Sequence, residues 1–339
     1  MMMSISMDRK IWLLGMFWMI IVIAGFFGEK KALGAPYRVG ILMLGDVRSQ
    51  PVAGFKDGMK ALGYVNEGDV VYESRNAQGN RDRLAGLAAE IINGRPNVAV
   101  AAGGVEADAL KEASADSKVP VVFLAVASAV DRGLVASMAR SGNNLTGVDT
   151  SDTELTAKRL WFIRKMLPEA KQVLVPFIPD ITPSVRAVDV AQSEAPNLGF
   201  QIRGLQGGSK KEIAELAGEL VSGDMDAIYI GMATPVWQIE GTVFWPISLA
   251  LGVPIMGINR EDLNRGAMAA YACSRYDTGM QAARLVQKIF KGISPSDIPV
   301  ETPSRLEFVV NRWVVDRLGI SLPKQIWRLA DDVVSIPVE

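Results

Sequence analysis

Two α/β lobes, each Rossmann-like and built on a parallel sheet, are the fold class this sequence predicts. Three observations predict it. After Ala35, short apolar runs alternate with longer segments of helical period, the pattern of βα units. The apolar runs are continuous rather than alternating, as expected of strands covered on both faces. The rhythm breaks at SGNNLTGVDT, residues 141–150, and then resumes, so the chain holds two such sets of comparable size. With 339 residues, nearly half of them apolar, two domains of ordinary size can each bury a core.

The first set predicts a strand over 37–44 and a helix over 51–62, then a strand over 69–73 and a helix over 82–92. A strand over 98–102 leads into a helix over 106–114, and a fourth strand covers 119–124. Gly142, Asn143 and Asn144 are turn formers and mark the change of rhythm. The second set starts with a helix over 154–167, stopped by Pro168. Its strands are expected over 172–177, 200–205, 227–231, 253–257 and 267–271. Helices over 185–194, 210–221 and 235–251 fill the gaps. An amphipathic helix follows over 278–291, with Met280, Ala283, Val286 and Phe290 on one face. Two short pieces, 306–310 and then 311–318, come last.

Ahead of these sets, Arg9 and Lys10 precede an uncharged run, IWLLGMFWMIIVIAGFFG, and small residues follow at Ala32, Gly34 and Ala35. That order reads as an export signal cleaved near Gly34 or Ala35, or as a retained membrane anchor, since the run is long enough to span a bilayer. No cysteine lies at its end, so no lipid-modified terminus is expected. The rest of the chain is expected beyond the membrane, periplasmic or otherwise extracytoplasmic.

Composition excludes several functions. Lys plus Arg number 36 against 37 Asp plus Glu, which argues against nucleic acid as a partner. There is no histidine, so the commonest general base and metal ligand is missing. The one cysteine, Cys273, can form no internal disulfide, and its neighbours Ala269, Ala270 and Ala272 read as core. The first strand ends in Leu44-Gly45-Asp46-Val47 without G-x-G-x-x-G spacing, the dipeptide Gly-Lys is absent, and there is no G-x-S-x-G elbow. The carboxylate pairs Asp224 with Asp226 and Glu261 with Asp262 read as solvated turns rather than metal sites. Glu106 and Glu261 each follow a strand and form the remaining candidate pair for glycoside chemistry. No cofactor, resident metal or catalytic residue is expected.

What remains is binding without chemistry. In open parallel sheets, ligands sit beyond the carboxyl ends of the strands. The stretch VAVAAGGVEADALKEA, residues 98–113, runs from strand to helix through Gly103-Gly104. Glycines there let main chain approach a guest, and the helix start offers unpaired N–H groups and a positive dipole end. Glu106 sits in that first turn, where it favours the helix dipole, repels a carboxylate and could hold an amine.

The ordered set of stretches resembles the exported solute-binding proteins of ABC transporters, in the group that includes tryptophan and tyrosine binders. The likeness is carried by FKDGMKALGYVNEGDVVYESRNAQGNRDRLAGLAAEII, by VPVVFLAVASAVDRGLVASMARSGNNLTGV, by AKRLWFIRKMLPEAKQVLV and by KIFKGISPSDIPVETPSRLEFVVNRWVVDRLGISLP, and it runs from about Tyr37 to Pro323. The resemblance implies a periplasmic binding protein of the type I-like architecture, with two lobes joined by a three-crossing hinge. It implies a signal or anchor over 1–35, lobe one over 36–148 plus 272–303, and lobe two over 149–271 plus 304–339. The crossings are placed near 148–151, 271–275 and 302–305.

Carried over by position, the ligand loops contribute Asp46 and Ser49 after the first strand, Gly103, Gly104, Val105 and Glu106 after the third, and Ala127 and Ser128 after the fourth. Lobe two contributes Pro179, Asp180, Ala233, Thr234, Glu261 and Trp237, whose ring could stack on a planar guest. Where family members often carry Thr-Pro or Ser-Pro after the glycine pair, this chain has Val105-Glu106. Where they often carry Asp-Pro after the fourth strand, it has Ser128 and moves the aspartate to Asp131. Where they often carry a polar pair after the strand at 227, it has Met232-Ala233-Thr234. The walls therefore read as more apolar than usual, and the expected guest is a modest-sized, partly apolar molecule, amino-acid-like or aromatic. The implied partners are an ABC permease and its ATPase, with the binder itself a monomer. The alternative is an exported sensing module that reports ligand occupancy to a membrane signalling protein.

Overall fold

The apolar runs become buried strands, and the strands collect in two sheets. The computed structural model describes residues 35–231 and 234–338, and the side chains of these except residues 210 and 234–242. The expected signal or anchor lies outside the described residues. Among the described residues no helix is long and apolar enough to cross a membrane.

In chain order the first sheet is built from β1 (Tyr37–Met43), α1 (Ser49–Ala61), β2 (Val70–Asn76), α2 (Leu84–Asn93), β3 (Val98–Ala101), α3 (Gly104–Ala113), β4 (Val121–Val126) and β5 (Leu145–Asp149). The strands lie in the order β2-β1-β3-β4-β5, all parallel. Every residue of β3 and β4 is buried, which is why VAVA and VVFLAV carry no polar alternation. The register between β4 and β5 shifts between Phe123 and Val126. That irregularity comes just before the loop holding Ala127 and Ser128. β5 was not among the expected strands. Its sequence, LTGVD, is short, contains a glycine and follows a run of turn formers.

The second sheet follows through α4 (Thr156–Met166), β6 (Gln172–Phe177), α5 (Thr182–Glu194), β7 (Gln201–Gln206), α6 (Lys210–Gly218), β8 (Ala227–Tyr229), α7 (Thr234–Leu251), β9 (Ile255–Gly257) and β10 (Ala269–Ala272). The chain then makes α8 (Arg275–Phe290), β11 (Glu307–Asn311), α9 (Arg312–Arg317), α10 (Lys324–Leu329) and β12 (Asp332–Val334). The strand order is β12-β11-β10-β9-β8-β6-β7. One pair in it, β10 with β11, is antiparallel, and the sheet is otherwise parallel.

α8 follows β10 of the second sheet yet packs on the first. Ala282, Ala283, Leu285 and Val286 share one core cluster with Val39, Ile41, Val52 and Phe55. The close crossing of α1 and α8 depends on missing side chains. A Cβ at Gly54 would lie 1.9 Å from the Tyr276 carbonyl oxygen, and one at Gly279 would lie 2.0 Å from that of Pro51. The chain therefore passes between the sheets three times: after β5, between β10 and α8, and between α8 and β11.

Candidate functional site

The carboxyl ends of β1, β3 and β4 and the loop after β6 open onto one cleft of about 780 Å³. Its size is that of a pocket for a small solute. The lobe-one wall is organised by two arginines and two glycines. Arg48, in the turn between β1 and α1, is almost fully buried and lines the cleft. Its Nε donates to Glu106 Oε1 at 2.9 Å, and the same oxygen accepts the Leu44 N–H at 2.9 Å. Arg48 lies flat on Gly103, where a Cβ would come within 2.5 Å of its Cζ. Arg132, in the loop after β4, covers Gly104 in the same way, with its Cζ 3.0 Å from a Cβ built there. Arg132 donates to Asp108 one turn into α3. Burial pushes the Asp108 carboxyl up from its ordinary value, against the opposing pull of Arg132.

The glycine pair therefore has a different first duty from the one expected. It makes room for two guanidinium groups, and Gly104 also lines the cleft itself. Glu106 also differs. It is fully buried and its charge is engaged by Arg48, so it neither faces the cleft nor offers an amine site. Its Oε2 is buried without a partner.

The floor of the cleft is the hinge. Asp152 lines it and pairs with Arg159, which is wholly buried in α4. Arg159 donates to Asp152 Oδ1 and to the Asp152 carbonyl, each at 2.6 Å, to the Tyr271 carbonyl at 2.9 Å and to the Ile258 carbonyl at 3.3 Å. One side chain thus ties the first crossing to the end of β10. Beside it, Asp149 accepts from Ala129 N–H at 2.6 Å and from Ser151 N–H at 2.8 Å. Those amides follow Asp149 closely or follow Ser128; Ser128 and Ser151 are both left-handed, with φ of 58° and 51°. Burial raises the Asp149 carboxyl above its ordinary value. Ser128 Oγ and Thr153 Oγ1 are 2.8 Å apart, which couples the loop after β4 to the first crossing.

Lobe two closes the cleft with Asp180, Ile181, Thr182 and Pro183, at the start of α5. Across the opening, Arg186 of α5 stands 3.7 Å from Asp131 of the lobe-one loop. This is an exposed pair and so contributes little to stability.

Of the residues expected at the site, Gly104, Val105, Ala127 and Asp180 line this cleft. Gly103 lies beneath Arg48, and Ser128 is buried against Thr153. Asp46 is exposed and accepts from Asn76 Nδ2, while Ser49 starts α1 in solvent; neither reaches the cleft, and Pro179 is likewise exposed outside it. Glu261 lines a separate cavity of about 250 Å³ beside the second crossing, so it shares no cavity with Glu106. Ala233 lies outside the described residues, and Thr234 and Trp237 fall where α7 is described without side chains. Arg48, Arg132, Asp152 and Arg275 also line the cleft, and sequence reasoning did not select them. Arg48 sits between the two loop residues chosen, and Arg132 follows Ser128 by four. The walls are consequently more charged than expected.

Cys273 lines the smaller cavity, where burial pushes its thiol up to about 12, so it stays protonated and unreactive at neutral pH. Among the described residues no group of three or more acidic or thiol side chains could hold a metal ion.

The model of the ABC transporter substrate binding protein family matches residues 38–334. The chain belongs to that family. As a substrate-binding protein it is a binder and not an enzyme. It is similar to a tyrosine-binding protein of Clostridioides difficile (strain R20291), with 24% identity over 258 residues, covering 76% of this chain and 73% of the relative. Its fold is similar to that of a domain from Streptococcus pneumonia solved in complex with L-Trp. That likeness has a TM-score of 0.80 and 21% identity, covering 88% of this chain and all of the other. It is also similar to the ligand-free, open form of a substrate-binding protein with adhesive properties from Clostridium difficile, with a TM-score of 0.71 and 22% identity, covering 89% and 100% of the two chains.

Proposed function

We propose that this substrate-binding protein is exported and captures a small organic solute between its lobes. It then presents the closed form to an ABC permease, which imports the solute with its ATPase. The observation that carries this reading is a cleft walled by strand-end loops from both sheets, with a hinge for its floor. A solute touching both walls favours the closed arrangement by as much as it binds that arrangement better. Lobe one is taken as residues 36–148 with 272–303, and lobe two as 149–271 with 304–339. Gly104, Val105, Ala127 and Asp180 are the contact positions carried from the sequence, joined by Arg48 and Arg132. Relatives described as binding tyrosine and L-Trp support an amino-acid-like or aromatic guest of modest size.

The test is thermal unfolding of the chain from Ala35 onward with a panel of aromatic and aliphatic amino acids, organic acids and purines. A bound member raises the transition by mass action, about 2.7 kcal/mol at a hundredfold excess over Kd. A panel without any shift would count against the reading. Delivery is tested separately, by solute uptake into vesicles holding the permease with and without this protein.

A further inference from the structure

Resting on the solute-binding reading, we propose that the lobe-one wall is a receptor for a single carboxylate, and that Arg48 is the residue that reads it. Arg48 is 7% exposed and lines the cleft. Its Nε is engaged by Glu106, but its two terminal nitrogens have no acceptor among the described residues. These nitrogens are not among the side-chain atoms buried without a partner, so they keep contact with solvent at the cleft, where a guest oxyanion takes charge-assisted bonds from them. Beside them, α3 begins at Gly104, and its first intrahelical bond runs from Ala107 N–H to Gly103 C=O. The N–H groups of Gly104, Val105 and Glu106 precede that bond and have no acceptor among the described residues. The cap residue, Gly103, has no side chain to supply one. The idle guanidinium edge and the open helix start belong to one wall, because Arg48 lies on Gly103 itself.

The charge balance limits the guest to one negative charge. Arg48, Arg81, Lys111, Arg132 and Arg275 line the cleft, against four carboxylates that include Asp152 and Asp180. Adding the buried partners Glu106 and Arg159 leaves the balance at one positive charge. A phosphate dianion would meet unbalanced repulsion from Asp152 and Asp180, whereas a planar carboxylate matches the guanidinium fork. Glu106 acts through Arg48 and is a positioning residue. It fixes the Nε edge inward and leaves the terminal nitrogens to the guest.

The experiment compares three forms of one scaffold by isothermal titration: tryptophan, indole-3-propionate and tryptophanamide, with tyrosine, 3-(4-hydroxyphenyl)propionate and tyrosinamide as a second set. The proposal expects the acids to bind with or without the amino group, and the amides to bind at least about tenfold more weakly. Arg48→Gln should weaken the acids at least about tenfold and leave the amides unchanged. Arg140→Gln, at an exposed cation outside the cleft, should change the acids less than about threefold. Because Arg48→Gln leaves Glu106 buried without its partner, the double variant Arg48→Gln with Glu106→Gln repeats the comparison, and unfolding without ligand reports its integrity. Amides binding as tightly as acids, or acids binding equally to both Arg48 variants, overturns the carboxylate receptor while the solute-binding reading stands. Failure of all six compounds to bind overturns the receptor as stated, and failure of the wider panel described above overturns the binding reading as well.

Discussion

Arg48 and Gly103 are packed face to face: a Cβ at position 103 would stand 2.5 Å from the Arg48 Cζ and 2.7 Å from its Nη2, so a side chain there requires the guanidinium to shift. Gly103 has an extended backbone, which any residue adopts, so the requirement for glycine is one of space. Gly103→Ala is expected to push Arg48 off the wall and strain its bond to Glu106. Overpacking of this kind costs about 1–3 kcal/mol. Urea unfolding should show that loss, and the variant should also lose most of its ligand-induced stabilisation. Full retention of both would mean the guanidinium can move aside freely.

Arg159 holds the hinge through bonds to Asp152, Tyr271 and Ile258. Arg159→Ala would remove the ion-pair partner of buried Asp152 and a donor from three carbonyls, those of Asp152, Tyr271 and Ile258. Breaking a buried pair by removing one partner costs about 3–5 kcal/mol. Chemical denaturation should register a loss of that order, larger than for Arg186→Ala, whose exposed pair with Asp131 is worth at most about 1 kcal/mol.

The α1–α8 crossing gives an independent check of the fold. At Gly279 an added Cβ would meet the Pro51 carbonyl oxygen at 2.0 Å and the Phe55 nitrogen at 2.7 Å, both backbone atoms that cannot rotate away. Gly279→Ala should destabilise by about 2 kcal/mol or more, despite alanine's better helix propensity. Gly86→Ala in α2, where a Cβ meets open space, should be neutral or slightly stabilising. Melting curves of the two variants side by side decide the matter.

Asp262 makes stability depend on pH. Its carboxyl is buried, which raises it to about 6, although Ile258 and Asn259 donate to it at 2.8 Å. A carboxyl raised in the folded state favours folding while both states are protonated, below about 4, and that contribution disappears as pH rises through about 6. Compared with Asp262→Asn, the protein should therefore lose stability between pH 4 and 6, by on the order of 3 kcal/mol. Parallel denaturation series at pH 4 and pH 7 measure it. Identical slopes for the two proteins would rule out this carboxyl as the source.

The fold was legible where burial on both faces writes itself as apolar runs: β3, β4 and β6 are such runs and were expected within a few residues. β5 was not, because five residues with a glycine among turn formers carry too little pattern. α10 and β12 were missed for a related reason. They are short, and β12 is a half-exposed edge strand without an apolar signature. The antiparallel pairing of β10 with β11 depends on the intervening excursion of α8 to the other sheet, which no local pattern encodes. At the site, the turn at Gly103-Gly104 was legible, but its tenants were not. Arg48 looks like any loop cation until the burial of Glu106 shows what it answers.

Native mass spectrometry of the mature chain, followed by recovery of the guest, tests the central claim most directly. The account predicts one solute per chain, lost on denaturation and recovered at its original mass, with the adduct weakened in Arg48→Gln. A chain that forms no such adduct with any member of the panel, or one that returns its guest at a changed mass, would contradict it.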